Sequence, residues 1–215
     1  MDDLRTRKKL RTRVALATAA LELFEERGFD ETTVDEIAAA ADVSRRTFFR
    51  YFETKEDVFL VDPAGKLQII EDELSRRDDG ESTLAAIRRA LLAIARDYAA
   101  DEAFLRLQYR VGLREPKLVA HGYVYQVRWE DALARAVAVD LGVDAATDVR
   151  ARVTAHVTVG AARTAVASWL SSPAGTDAVA VMDATFDLVA PALAVLLSAP
   201  AERRASSTPG DAVPS

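Results

Sequence analysis

The sequence predicts an all-α fold, on three observations. Apolar residues recur at helical spacing through Ala-rich segments, no run of alternating β-branched residues appears, and capping residues, Gly and Pro cut the chain into helix-length pieces. Alanine supplies 41 of the 215 residues and half of all residues are hydrophobic, enough for a sizeable core.

The first helix is expected from about Arg7 to Arg27, with Val14, Ala17, Leu21 and Phe24 on one face and Gly28 closing it. A capping box, Thr33-Val-Asp-Glu36, opens the second, which runs to about Ala40. Ala41-Asp42-Val43 is a tight connection, because Ser44 is a strong cap for a short third helix ending near Tyr51. A fourth is expected after Thr54, bent or broken at Pro63-Ala-Gly65 before it resumes through Leu67, Ile70 and Leu74. Further helices are expected at about Thr83–Tyr98, Glu102–Arg114, Pro116–Leu141, Thr147–Ser171 and Thr176–Leu197, with a kink at Pro191. The division is a unit at 1–53, a body at 54–200 and a disordered tail at 201–215, rich in Ala, Ser, Pro and Gly.

The composition narrows the chemistry. Zero Cys removes disulfides and thiol nucleophiles, and two His, His121 and His156, leave little for zinc or general-base work. There is no His-x-x-x-His pair and no glycine-rich phosphate motif, so catalysis, a metal and a cofactor are not expected. The apolar run Leu188–Leu197 is too short for a membrane span, and the first residues lack the apolar core of a signal peptide, which fits a reduced, cytoplasmic setting.

Charge is uneven although the net value is only −6. Residues 1–56 sum to −1 and the remainder to −5, while the first 13 alone sum to +4, with Arg5, Arg7, Lys8, Lys9, Arg11 and Arg13. A basic arm on an acidic body suits a nucleic-acid binder, and equally a solvated terminus.

Two short helices joined by a few residues describe a helix-turn-helix, whose second helix sits in the DNA major groove. The third helix sharpens this reading. Val43, Phe48 and Phe52 can face inward against Phe24, Ile37 and Ala38, leaving Arg45, Arg46, Thr47, Phe49, Arg50 and Tyr51 outside or at the rim. Two Arg and a Thr in an opening turn are residue types that read guanine edges and thymine methyls.

The run Arg11–Phe59, with Gly28, Thr33, Ile37, Ala38, Val43, Ser44, Tyr51, Phe52 and Lys55 in register, resembles the TetR family of bacterial transcription regulators. The resemblance implies a homodimer, each subunit carrying a three-helix DNA reader and an all-helical, effector-binding body. It implies that Thr33 and Ser44 contact phosphates, that Tyr51 and Lys55 clamp the DNA backbone, and that Arg45, Arg46, Thr47 and Phe49 reach bases. Two residues depart from the pattern: Asp42 stands where a turn Gly is usual, and Phe49 where Tyr is frequent.

The last two helices are strongly apolar, through Val153, Val157, Val159, Ala162, Val166 and Trp169, then Val179, Met182, Phe186, Val189, Leu193 and Leu196. By resemblance they form the dimer interface; the alternative is an ordinary core. Tyr98, Phe104, Tyr109, Tyr125 and Trp129, interleaved with Arg106 and Arg128, are the candidate effector contacts, and each could instead be core. Tyr123, Trp169, Arg110 and Arg163 belong to the same stretch. The body is similar to the branch of TetR regulators that binds acyl-CoA-like ligands, mycofactocin-associated members included.

The function expected is a ligand-responsive repressor that binds a palindromic operator in double-stranded DNA and is released by a small hydrophobic or amphipathic effector. The alternatives are an activator of the same fold and a protein-binding adaptor without sequence-specific DNA recognition.

Overall fold

A computed structural model describes residues 2–60, 63–78 and 80–199, the side chains of residues 2–8, 63 and 124 excepted. The chain is all-helical, with no strand among the described residues. The expected tail at 201–215, and the side chains of Arg5, Arg7 and Lys8 in the basic arm, lie outside the described residues.

Helix α1 (Asp2–Arg27) starts five residues before its expected beginning, so the basic arm continues the helix rather than preceding it. It buries Leu16, Ala17, Ala20, Leu21 and Phe24 and ends where Gly28 takes a φ of +89°. In α2 (Val34–Ala40) the capping box forms: the Thr33 hydroxyl accepts from the Glu36 amide, and the Glu36 carboxylate accepts from the Thr33 amide at 2.9 Å. The connection to α3 (Arg45–Tyr51) closes when the Val43 amide donates to the Ala38 carbonyl at 2.9 Å. That closure puts Asp42 at φ +53°, a left-handed conformation that Asp adopts at lower cost than most residues. Phe48 and Phe52 turn inward with Phe24, Ile37 and Ala38, and Val43 packs at their edge.

The segment after α3 differs from expectation. It is a 3-10 turn, Glu56–Phe59, and Thr54 does not cap it; the Asp57 carboxylate instead accepts from the Glu53 and Thr54 amides at 3.0 and 2.9 Å. Pro63 does not break a helix but starts α4 (Pro63–Ser75), where its missing N–H costs nothing.

Helices α5 (Thr83–Ala100) and α6 (Glu102–Arg114) follow as expected, apart from two further residues at the end of α5. The long helix expected at Pro116–Leu141 is two, α7 (Pro116–His121) and α8 (Tyr123–Leu141). Between them sits Gly122, where a Cβ would come 3.2 Å from the Leu60 side chain, so the missing side chain lets the backbone pass close to Leu60. Helix α9 (Val149–Ser171) is capped by Asp148, and α10 (Ala178–Ser198) by Asp177. The expected starts, Thr147 and Thr176, lie two residues before the observed ones. Helix α10 runs unbroken across Pro191.

Two main apolar clusters organise the molecule. One joins α1, α2, α3 and the 3-10 turn to Leu107, Val111 and Leu118 of α6 and α7. The other, in the body, joins α4, α5, α8, α9 and α10. Helix α10 is long and apolar enough to cross a membrane, with a mean hydropathy of 1.8. Its Met182, Phe186 and Leu193 nevertheless pack in the body core, and Arg88 of α5 pairs with its Asp183 and Asp187 at 2.6 and 2.9 Å.

Candidate functional site

Helix α3 presents a basic, aromatic face whose charges work against the helix that carries them. Arg45 and Arg46 occupy its first turn, which holds no acidic residue, although the positive end of the helix dipole disfavours cations there. Ser44 caps the turn, accepting from the Thr47 amide at 3.1 Å and lying 3.0 Å from the Thr47 hydroxyl. Arg45 donates to Asp35 of α2 at 2.6 Å and lies over the exposed Phe49 ring, 5.4 Å from its centre. Arg46 is exposed and makes no hydrogen bond or ion pair among the described residues. Thr33 stands exposed at the start of α2, bonded to Glu36, and Arg27 pairs with Glu36 at 3.1 Å.

Tyr51 ends α3 half-buried, its carbonyl accepting from Arg13 at 2.9 Å. Burial works to raise its phenol pKa, but hydrogen bonds from Thr12 and Arg50 and the nearby charges of Arg50 and Lys9 bring it below the usual value. Lys55 is committed elsewhere than expected: its ammonium donates to the carbonyls of Phe29, Thr32 and Asp30, at 2.7, 3.0 and 3.4 Å. Those three acceptors match its three protons, and they belong to the loop between α1 and α2.

The same loop and the end of α1 are fastened to the body. Lys117 bonds Asp30 at 2.6 Å, Arg110 bonds Glu25 at 2.5 Å, and Arg114 reaches the Glu25 carbonyl at 3.1 Å. Hydrogen bonds from Arg110 and Lys117 hold the Glu25 and Asp30 carboxyls below their ordinary pKa values.

A cavity of about 870 Å³ opens between the basic unit and the body. Its walls are Leu10 and Val14 of α1, Phe59 and Leu60, Phe104, Leu105 and Gln108 of α6, and Tyr98, Tyr123, Tyr125 and Trp129. Lys66, Asp97, Asp101, Gln126 and Arg163 supply its polar edge. Lys66 pairs with Asp97 and lies 4.8 Å from the centre of the Tyr98 ring. Burial pushes the Tyr98 phenol up to about 12, so it stays protonated. The Trp129 indole N–H is buried without a partner.

Of the expected effector contacts, Tyr98, Phe104, Tyr125 and Trp129 meet in this cavity and three do not. The Arg106 guanidinium is taken up by the carbonyls of Leu170, Ser172 and Pro173, at 2.7, 2.9 and 3.2 Å, where it closes the end of α9. Tyr109 lies 3.0 Å from the Ser171 hydroxyl, and Arg128 is exposed, over the Tyr125 ring. Trp169 is core, donating to the Thr176 carbonyl at 2.9 Å. The α1 and 3-10 residues in the wall were not anticipated; Leu10 and Val14, spaced four apart beside the buried stripe of α1, are the signal that was available. His121 lies 2.8 Å from Asp57, and His156 lies 2.9 Å from the Arg152 carbonyl.

On α9 and α10, the residues named for an intersubunit face divide. Val159, Trp169, Met182, Phe186 and Leu193 are buried within the subunit. Val153 and Val157 are instead exposed, as are three residues not named for it, Val149 of α9 and Leu188 and Val195 of α10, the last two at 81% and 73%.

A basic two-helix reader wired to a body with an aromatic cavity defines the class of helical transcription regulators that join a DNA-binding unit to a ligand pocket. Comparison with known proteins resolves the class further. Residues 16–61 match the family described as bacterial regulatory proteins, tetR family, and residues 81–194 match the MftR C-terminal domain. The HTH-type transcriptional regulator TcmR of Streptomyces glaucescens is 37% identical, over 77% of this chain and 76% of its own. A protein of Mycobacterium tuberculosis described as a mycofactocin biosynthesis transcriptional regulator, MftR, is 31% identical over 85% and 91%. Among solved structures, Thermus thermophilus FadR in complex with lauroyl-CoA is 26% identical with a TM-score of 0.55, covering 92% of this chain and 100% of that one. The chain belongs to the TetR family of bacterial transcription regulators, with an MftR-type C-terminal domain.

Proposed function

We propose that this protein is a cytoplasmic, ligand-responsive repressor that binds a palindromic operator as a homodimer and leaves it when a hydrophobic or amphipathic effector fills the cavity. The observation that carries this reading is the double role of α6. Its Phe104, Leu105 and Gln108 line the cavity, while its Arg110 and Arg114 grip Glu25 of α1. An effector that displaces α6 therefore pulls on the DNA-binding unit, and a coupling of ~1–3 kcal/mol is enough for regulation.

In this reading residues 1–53 bind DNA, and 54–200 bind the effector and the second subunit. Arg45, Arg46, Thr47 and Phe49 enter the major groove, and Thr33, Ser44 and Tyr51 meet the DNA backbone. Lys55 shapes the α1–α2 loop through the carbonyls it holds. The exposed apolar residues of α9 and α10 are the surface for the second copy, which sets the two recognition helices roughly 34–36 Å apart. An acyl chain suits the apolar walls, and the lauroyl-CoA in Thermus FadR supports an acyl-CoA-like effector. Lys66 and Arg163 are the cations at hand for its charged part.

Selection of random duplex DNA by the purified protein at physiological salt tests the proposal. Enrichment of an inverted repeat with half-sites about one helical turn apart, lost on adding a fatty acyl-CoA, is the expected result. A folded protein that enriches no sequence at any salt overturns it.

A further inference from the structure

The ion pair between Asp35 and Arg45 joins the two helices of the reader where stability has little use for it. Both side chains are about 60% exposed, at 62% and 60%, and an exposed pair of this kind contributes almost nothing to folding. Arg45 also stands in the first turn of α3, where the helix dipole works against it. Its geometry is nonetheless held from two sides. One terminal nitrogen donates to the Asp35 carboxylate at 2.6 Å, and the guanidinium carbon lies over the Phe49 ring, 5.4 Å from its centre. Phe49 is in turn propped edge-to-face on the buried Phe48, with centres 5.3 Å apart and planes at 84°. A chain of contacts thus runs from the core, through two rings, to a guanidinium aimed by a carboxylate on the neighbouring helix.

Arg46, one residue on, has no such support. An arginine that reads guanine must present two N–H groups to O6 and N7 in a fixed plane, whereas a contact to phosphate tolerates any approach of the charge. Arg45 has five donors and gives one to Asp35, so a parallel pair remains for a base edge.

We propose that Asp35 is a positioning residue for sequence recognition: it fixes Arg45 as the reader of one guanine in each half-site, and Arg46 supplies a phosphate contact instead. Phe49 is the platform that keeps the guanidinium flat. This inference rests on the DNA-binding reading above and assigns within it which arginine specifies and which anchors.

The test is duplex selection followed by affinity titration for the wild type and the Asp35→Asn, Asp35→Glu, Arg45→Lys and Arg46→Lys variants, with thermal unfolding of each. In the expected result Asp35→Asn and Arg45→Lys each lower the preference for one base pair per half-site by about tenfold, the discrimination of one bidentate contact, and leave the other positions intact. Asp35→Glu restores that preference, Arg46→Lys leaves every preference unchanged, and the unfolding temperatures stay together. If Asp35→Asn tightens binding to all duplexes equally, Asp35 merely repels phosphates and the inference is wrong. It is equally wrong if Arg46→Lys, rather than Arg45→Lys, flattens the guanine position. A wild type that selects no sequence would remove the DNA-binding reading itself, an outcome separable from either of these.

Discussion

Lys55 holds Phe29 twice: its ammonium donates to the Phe29 carbonyl at 2.7 Å and lies 4.1 Å from the centre of the Phe29 ring. Lys117 covers the same ring, 4.4 Å from its centre. The loop between α1 and α2 is therefore clamped by two cations, one from the segment after α3 and one from α7. Removing the first, by Lys55→Ala, frees the Phe29 and Thr32 carbonyls and should lower stability by about 1.5–3 kcal/mol, the range for hydrogen bonds to a charged group. Urea unfolding checks this. The salt dependence of operator binding should keep its slope, because no phosphate contact is lost; a slope lower by about one, with stability unchanged, would make Lys55 a phosphate clamp after all.

Asp57 ties the turn after α3 to α7. Burial works to raise its pKa, but hydrogen bonds from His121 and from Thr54 and Glu53 outweigh it and hold the carboxyl below its usual range. A depressed carboxyl stabilises the fold above its unfolded pKa of about 4 and loses that contribution as pH falls through the folded value. Asp57→Asn should then be less stable than the wild type at pH 7, by about 1 kcal/mol, and the difference should shrink as the pH falls below about 4. Unfolding curves across this range decide it; a difference that persists undiminished at pH 3 would assign the loss to something other than the charge.

The outward side of α10 carries Leu188 and Val195, 81% and 73% exposed. If a second copy covers them, Leu188→Glu or Val195→Glu buries an unpaired charge and shifts the protein towards monomer in sedimentation, with operator affinity falling more than tenfold. Val139→Glu is the matched control, since Val139 is 78% exposed on a different helix, α8. Equal behaviour of all three variants would move the interface elsewhere.

Tyr125 is half-buried in the cavity wall, and its ring carries no core contact of the reader. Tyr125→Ala should weaken an effector of the wild type by about tenfold, roughly the 1.4 kcal/mol of one well-placed ring, and leave effector-free operator affinity within about twofold. Calorimetry with a fatty acyl-CoA and operator titration read the two effects separately. Unchanged effector affinity would place the ligand outside this cavity.

The reader was legible in the sequence because its signals are short-ranged. Thr33 and Glu36 are three residues apart and satisfy each other; Ser44 caps the helix it precedes; Phe48 and Phe52, one turn apart, define the inward face and leave Arg45, Arg46 and Phe49 outside. Asp42 was legible too, as a residue tolerant of the left-handed turn it occupies. In the body the helix order was legible and the assignment of side chains only in part, Tyr98, Phe104, Tyr125 and Trp129 lining the cavity while Arg106, Tyr109 and Arg128 do not. Pro63 and Gly122 show why: a Pro can stop a helix or start one, and a Gly inside a helical pattern marks a break only once Leu60 is known to lie against it.

The paired reader helices and their exposed basic face follow from periodicity and capping, which act within one or two turns of chain. Long-range partners settled the rest. Arg106 reaches carbonyls 64 residues away and Lys55 one 26 residues away, and nothing near either residue in the sequence says so. Apolar residues surround α9 and α10, so periodicity cannot tell the stripe that meets the subunit's own core, Met182 and Phe186, from the stripe left outward, Leu188 and Val195. Hydrophobic attraction has no direction of its own. Packing against α5 and α8 chose which face each helix turned inward, and with it the cavity that α1 helps to close.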